Sequence, residues 1–149
     1  MNTFTLISLT FASLIGCVSS NALAVDETPN AIPGGSFVNV DQAKAAHAKG
    51  VLFIDARVAA EYADKHIMGA ASIPFKEQFP KVSKTGPEDK FDLAKLPADK
   101  NKDMVFYCNG SPCWKGYKAA AAAIKAGYKK VQWFRDGLPA WLEKGLPAE

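Results

Sequence analysis

Apolar residues in this chain gather in short runs bounded by polar and turn-forming ones. Val51-Leu52-Phe53-Ile54 and Met104-Val105-Phe106-Tyr107 are uninterrupted, and Val131-Gln132-Trp133-Phe134 is nearly so. Runs of this length without polar alternation predict strands covered on both faces. Phe37-Val38-Asn39-Val40 and Ala71-Ser72-Ile73 predict two shorter strands, the second stopped by Pro74. Helical stretches lie between them. Asp41 is a good N-cap for a helix over 42–49, and Gly50 is a good stop. Glu61-Tyr62 begins a short helical turn. The alanine-rich stretch 115–126 predicts a helix that Gly127 ends. Asp136-Gly137-Leu138-Pro139 opens a last short helix running through Trp141 to Lys144. Strands alternating with helices predict an α/β fold, a parallel sheet with helices on both faces. Residues 75–102, broken by Pro80, Gly86, Pro87 and Pro97, predict irregular helix and loop pinned to the core by Phe75, Phe79, Phe91 and Leu93.

The first two dozen residues follow a different pattern. From Phe4 to Val18 the chain is almost wholly apolar or small and carries no charge. That run falls short of the ~20 apolar residues of a comfortable membrane span. Ala22-x-Ala24, just before the first acids Asp26 and Glu27, has the form of a signal-peptidase site. Residues 1–24 therefore read as a signal peptide cleaved after Ala24, although no Lys or Arg precedes the apolar run. Leu14-Ile15-Gly16-Cys17 supports a rival reading, a lipoprotein box with Cys17 lipidated. Both place the domain outside the cytosol, periplasmic or secreted. Residues 25–36, rich in Pro, Gly, Asn and acids, read as a flexible leader, and 37–149 as one domain.

With 149 residues, 48% of them hydrophobic and 22% charged, the chain has enough apolar material for one core without disulfide staples. Its net charge of +3 comes from scattered lysines, so no nucleic-acid footprint is expected. No internal repeat, Walker loop, dinucleotide fingerprint or zinc spacing occurs, and neither cofactor nor metal is expected. A monomer is expected.

The chemistry concentrates in 104–116. The apolar run ends on Cys108, Asn109-Gly110-Ser111-Pro112 follows, and Cys113-Trp114-Lys115 leads into the alanine-rich helix. A strand–loop–helix of this kind turns backbone N–H groups inward and adds the positive end of the helix dipole. A thiol at the head of such a loop ionises readily, and the thiolate is the reactive form. Gly110 lets the backbone curl inward. Amides from Asn109 to Trp114, including that of Ser111, supply the field, and Lys115 adds a point charge for an anion. Ser111-Pro112 is an alternative N-cap and N1 pair, which would place Cys113 in the first helical turn. In open parallel sheets the crevice lies beyond the carboxyl ends of the strands, so Asp55, Arg57, Cys108 and Arg135 should converge there. Arg57 is expected to pair with Glu61 or Asp55 as a clamp behind the loop, and Arg135 to face the pocket mouth. Trp114 is a pocket wall or a packing residue. Trp133 and Trp141 belong to the core, His47 to the boundary, and His66 to structural hydrogen bonding. Cleavage after Ala24 would leave only Cys108 and Cys113, close together in one loop in an oxidising compartment.

The order Asp55-x-Arg57, Glu61-Tyr62, His66-Ile67-x-Gly69-Ala70-x-x-Ile73-Pro74, Tyr107-Cys108, Gly127-Tyr128-x-x-Val131 and Asp136-Gly137-x-x-x-Trp141 resembles a single-domain rhodanese over roughly residues 38–147. The resemblance implies a rhodanese-like α/β domain around a parallel five-stranded sheet. It also implies a catalytic cysteine, by position Cys108, that takes sulfane sulfur as a persulfide and passes it to a thiophile. The loop departs from the family pattern. It is about two residues longer, Lys115 replaces Arg at the closing basic position, and Cys113 sits inside it beside Trp114. The Cys…Cys-Trp arrangement resembles an exported bacterial subgroup, some of whose members are associated with quinoprotein oxidation. The implied function is a periplasmic sulfurtransferase with a thiosulfate-like anionic donor, a thiol acceptor and a periplasmic redox partner. Cys113 is then a resolving cysteine, a redox lock on Cys108, or space-filling. Two alternatives stay open, a thiol–disulfide redox protein using Cys108 and Cys113, and a non-catalytic binding module of a periplasmic oxidation pathway. A phosphatase of related fold wants an Arg six positions after the nucleophile, where Trp114 stands.

Overall fold

The strand Met104–Tyr107 (β4) is buried along its whole length, and the fold is built outward from it. The computed structural model describes residues 26–149; the expected signal peptide, its cleavage site and Cys17 lie outside the described residues. In chain order the other elements are β1 (Ser36–Val38), α1 (Val40–Ala48), β2 (Leu52–Asp55), α2 (Ala59–Asp64), β3 (Ala71–Ser72), α3 (Trp114–Lys125), β5 (Val131–Phe134) and α4 (Gly137–Glu143), with a 3-10 turn at Leu93–Lys95 before β4. The strands form one five-stranded sheet in the order β1-β5-β4-β2-β3. Every pairing is parallel, with Cα partners such as Ile54 and Phe106, or Phe106 and Trp133, in register.

Side-chain alternation in the strands divides the core between two faces. Ile54, Met104, Phe106, Val131 and Trp133 meet Ala119, Ala120 and Ala123 of α3, with Ile32, Phe75 and Leu96 completing that side. Phe53, Val105, Tyr107 and Phe134 point the other way, onto Ala43 and Ala46 of α1 and Leu138 and Trp141 of α4. The alanines let α3 lie close against the sheet. Truncating a fully buried ring such as Phe106 to Ala would cost about 3–5 kcal/mol through lost burial and a cavity.

Several local expectations are corrected. Asn39, not Asp41, caps α1: its side chain accepts from the Gln42 amide and the Gln42 side chain accepts from the Asn39 amide, each at 2.9 Å. This reciprocal pair satisfies two donors at once, which Asp41 would not do. Leu93 is exposed, and Leu96 takes its place in the core. Helix α3 begins at Trp114 with Cys113 as its N-cap residue. The described part of the expected leader does not hang free. Thr28 and Ile32 are buried, and the Thr28 amide donates to the Ser111 carbonyl at 3.0 Å. Among the described residues no helix is long and apolar enough to cross a membrane.

Candidate active site in the loop between β4 and α3

Cys108 follows β4 directly and is 3% exposed. Backbone walls it on two sides. Its carbonyl accepts from the Leu138 amide at 2.9 Å. Gly137, at φ +58°, comes so close that a Cβ there would stand 2.1 Å from the Cys108 oxygen. Gly116 of α3 packs on the other side, where a Cβ would lie 3.3 Å from that of Cys108. The loop then curls: Gly110 adopts φ +95°, and the Cys113 amide donates to the Gly110 carbonyl at 3.0 Å. This turn brings the two cysteines together as a disulfide, with Cα atoms 6.1 Å apart. Their environments differ. Cys113 is half-buried and lines a cavity of about 250 Å³ with Glu77, Pro80, Lys81, Asn109, Pro112, Trp114 and Lys115. Cys108 lies behind it.

A buried ionic network supports the loop from the β2 side. Arg57 clamps Asp55, with Nη2 to Oδ2 at 2.7 Å and Nε to Oδ1 at 3.0 Å. Both side chains are buried, at 4% and 0% exposure. The Tyr107 hydroxyl donates to the same Oδ2 at 2.6 Å and accepts from the Ile67 amide at 3.1 Å. Burial works against the Arg57 cation, but the hydrogen bonds and charge of Asp55 outweigh it and hold the pKa above its ordinary value. Burial pushes the Tyr107 phenol well up, and the Asp55 charge pushes it further. Arg57 Nη2 also donates to the Lys65 carbonyl at 2.6 Å, and Nη1 donates to Asn109 Oδ1 at 3.2 Å. Asn109 Nδ2 in turn donates to Glu61. The clamp partner is therefore Asp55, and Glu61 acts through Asn109, which both groups tie down as the first loop residue.

Two expected anion-binding residues are otherwise engaged. Lys115 Nζ donates to Glu77 Oε1 at 2.8 Å, so its charge at the cavity wall is shared rather than free. Arg135 does not face the cavity mouth. Its Nε donates to the Thr28 carbonyl at 3.0 Å, and Nη2 to Glu27 at 3.2 Å. The segment it captures lies across the loop. The Thr28 hydroxyl donates to the Ser111 carbonyl at 2.7 Å, and Trp114 Nε1 donates to the Asp26 carbonyl at 2.6 Å. Trp114 thus packs, at 4% exposure, while also contributing to the cavity wall.

Sequence reasoning missed Thr28, Glu77, Lys118 and the Tyr107 hydroxyl. Glu77, whose side chain is 5% exposed, bridges Lys115 to Lys118, whose side chain is 2% exposed. Lys118 Nζ also donates to the Phe79 carbonyl at 2.8 Å. A lysine one turn after Lys115 on the alanine face of a helix was the available signal. Thr28 and Glu77 lie in polar stretches with no periodicity to mark them. His66 does bond structurally, with Nδ1 2.8 Å from the Tyr62 carbonyl. Among the described residues no group of three or more His, Cys, Asp and Glu side chains is placed to hold a metal ion.

Known proteins share this fold. The rhodanese-like domain model matches residues 39–144. A sulfurtransferase of Allochromatium vinosum is 30% identical over 102 residues, 68% of this chain and 81% of that protein. An HTH-type transcriptional regulator of Mycobacterium tuberculosis is also 30% identical, over 117 residues; the match covers 78% of this chain but only 46% of the regulator. The solution structure of a rhodanese-like domain from Anabaena superposes with a TM-score of 0.58 at 27% identity, over 75% of this chain and 76% of that one. A cysteine at the carboxyl end of the central parallel strand, set on a loop under a helix, is thus found in a chain that belongs to the rhodanese-like family.

Proposed function

We propose that this chain is a periplasmic sulfurtransferase, exported by the signal peptide read at residues 1–24. In this reading the Cys108 thiolate attacks the outer sulfur of a thiosulfate-like anion, holds it as a persulfide and hands it to a thiol. The observation that carries the proposal is the position of Cys108, buried at the end of β4 beneath the N-terminus of α3. There the positive end of the helix dipole favours the anionic sulfur over the thiol. Lys115 and Lys81 at the cavity wall attract an anionic donor, although Glu77 moderates Lys115. Asn109, held by Arg57 and Glu61, fixes the start of the loop. The Allochromatium relative bears the name sulfurtransferase, which supports the activity class.

A second reading draws on the Cys108–Cys113 disulfide: a thiol–disulfide redox protein whose cysteines exchange electrons with a periplasmic partner. Reduced protein treated with thiosulfate and examined by peptide mass spectrometry separates the two. Sulfur transfer expects an added sulfur on Cys108, lost in Cys108→Ser. An unmodified Cys108 across a range of thiosulfate concentrations would favour the redox reading.

A further inference from the structure

We propose that Cys113 resolves the Cys108 persulfide, so that the protein releases the bound sulfur as hydrosulfide and closes its own disulfide. This rests on the sulfur-transfer reading above and assigns the step that follows loading. The partner that Cys113 bonds in the structure is Sγ of Cys108 itself, the inner sulfur of a persulfide formed there. The loop is anchored on both sides of that bond. Arg57 and Glu61 hold Asn109, Thr28 holds the Ser111 carbonyl with two donors, and Gly110 holds the Cys113 amide. A thiol fixed in reach of its target in this way reacts at a high effective concentration. Cys113 is also the N-cap residue of the twelve-residue helix α3, so its sulfur sits at the positive end of the helix dipole.

The step balances without an outside oxidant. Loading transfers one sulfur: the Cys108 thiolate and thiosulfate give the Cys108 persulfide anion and sulfite. The Cys113 sulfur then attacks Sγ of Cys108. The bond from Sγ to the outer sulfur breaks, the Cys108–Cys113 bond forms, and the outer sulfur leaves with the electron pair and the Cys113 proton as hydrosulfide. The two cysteine sulfurs supply the two electrons that the sulfane sulfur gains.

The exposure difference assigns the return step. A thiolate must approach a disulfide sulfur from the side away from its partner. Cys113 is half-buried and lines the cavity beside Pro112 and Trp114, where an incoming thiolate can reach it. Cys108, 3% exposed, offers it almost no surface. The incoming thiolate therefore bonds to Cys113 and Cys108 leaves as the thiolate. A second thiolate displaces Cys113 and carries away the mixed disulfide as an ordinary one. Two thiols are consumed for each sulfane sulfur released.

The test uses the full chain, reduced, freed of reductant and given thiosulfate. Wild type is expected to release one hydrosulfide per sulfite formed and to lose two thiols per chain as the Cys108–Cys113 linkage appears. Cys113→Ser and Cys113→Ala, checked for folding by circular dichroism, are expected to stop at the stable Cys108 persulfide. Oxidised wild type quenched in excess glutathione is expected to carry glutathione on Cys113. The proposal is overturned if wild type accumulates the persulfide beside a free Cys113 thiol, or if glutathione is trapped on Cys108. Absence of sulfur loading in both wild type and the Cys113 variants would instead overturn the sulfurtransferase reading, and the resolving step with it.

Discussion

Thiol-bearing loop and N-terminal segment meet at Thr28 and Ser111, where one carbonyl accepts two donors from one residue. The Thr28 amide lies 3.0 Å and its hydroxyl 2.7 Å from the Ser111 oxygen. Arg135 completes the contact, with Nε 3.2 Å from the same hydroxyl. Thr28→Val removes the hydroxyl and leaves Arg135 Nε with one acceptor fewer. It should cost about 0.5–1.5 kcal/mol in urea unfolding, the range for the net contribution of a hydrogen bond. Reduction of the Cys108–Cys113 disulfide by dithiothreitol should become faster as the loop loosens. Thr28→Ser, which keeps the hydroxyl, should behave nearly as wild type in both measurements.

Glu77 is the counter-ion for a lysine that has almost no access to water. Glu77→Gln leaves Lys118 charged and buried without its partner, a loss of about 3–5 kcal/mol by the usual cost of breaking a buried pair from one side. Chemical denaturation should register that loss. Lys118→Met replaces the cation with an apolar chain of similar length and keeps the Lys115–Glu77 bond. It should be much closer to wild type. Equal losses in the two variants would refute this account of the triad.

Tyr107 sets the alkaline limit. Its phenol titrates above the ordinary value of 10.0 in the folded state, through burial and then the Asp55 charge. Tyr62 shifts the same way through burial and Glu149. Below about pH 10 both states keep the Tyr107 proton and its contribution to stability is whole. Above that, the unfolded chain releases a proton that the folded chain retains, so stability falls as pH rises. The slope is about 1.4 kcal/mol per pH unit for one such group. Tyr107→Phe should show a shallower decline between pH 10 and 11.5 in pH-dependent urea melts, together with lower stability at neutral pH because Asp55 loses a donor.

Gly137 sits where a side chain cannot. A Cβ would stand 2.1 Å from the Cys108 carbonyl oxygen, at a φ of +58°. Gly137→Ala should destabilise the fold by more than ~2 kcal/mol, from backbone strain and displacement of Cys108 together. Sulfur loading at Cys108 should fall with it, even under conditions where circular dichroism finds the chain folded. Gly127→Ala offers the control: its φ of +95° is similarly strained, but open space surrounds it. That change should lower stability without altering the loading of the folded fraction.

The sequence by itself determined the framework. Four consecutive apolar residues in 104–107 and four nearly so in 131–134 matched β4 and β5 residue for residue, because a strand covered on both faces has no polar side to show. The alternation of such runs with helical stretches carried the parallel topology, and the apolar run 104–107 marked Cys108 as the residue directly after β4. Boundaries set by side-chain capping were less legible. Asn39 and Asp41 are both competent caps, and only the reciprocal bond with Gln42 chose between them. What the tertiary structure decided were partnerships between residues far apart in the chain. Lys115 and Arg135 are cations at plausible distances from the loop in sequence, yet Glu77 and Thr28 claim them. Composition cannot announce such contacts, since a polar loop and a proline-rich leader look alike whether they float or dock. Burial decides it: once Lys118 and Thr28 are taken from water, their polar atoms must find partners inside the protein, and those partners fix how the loop around Cys108 is held.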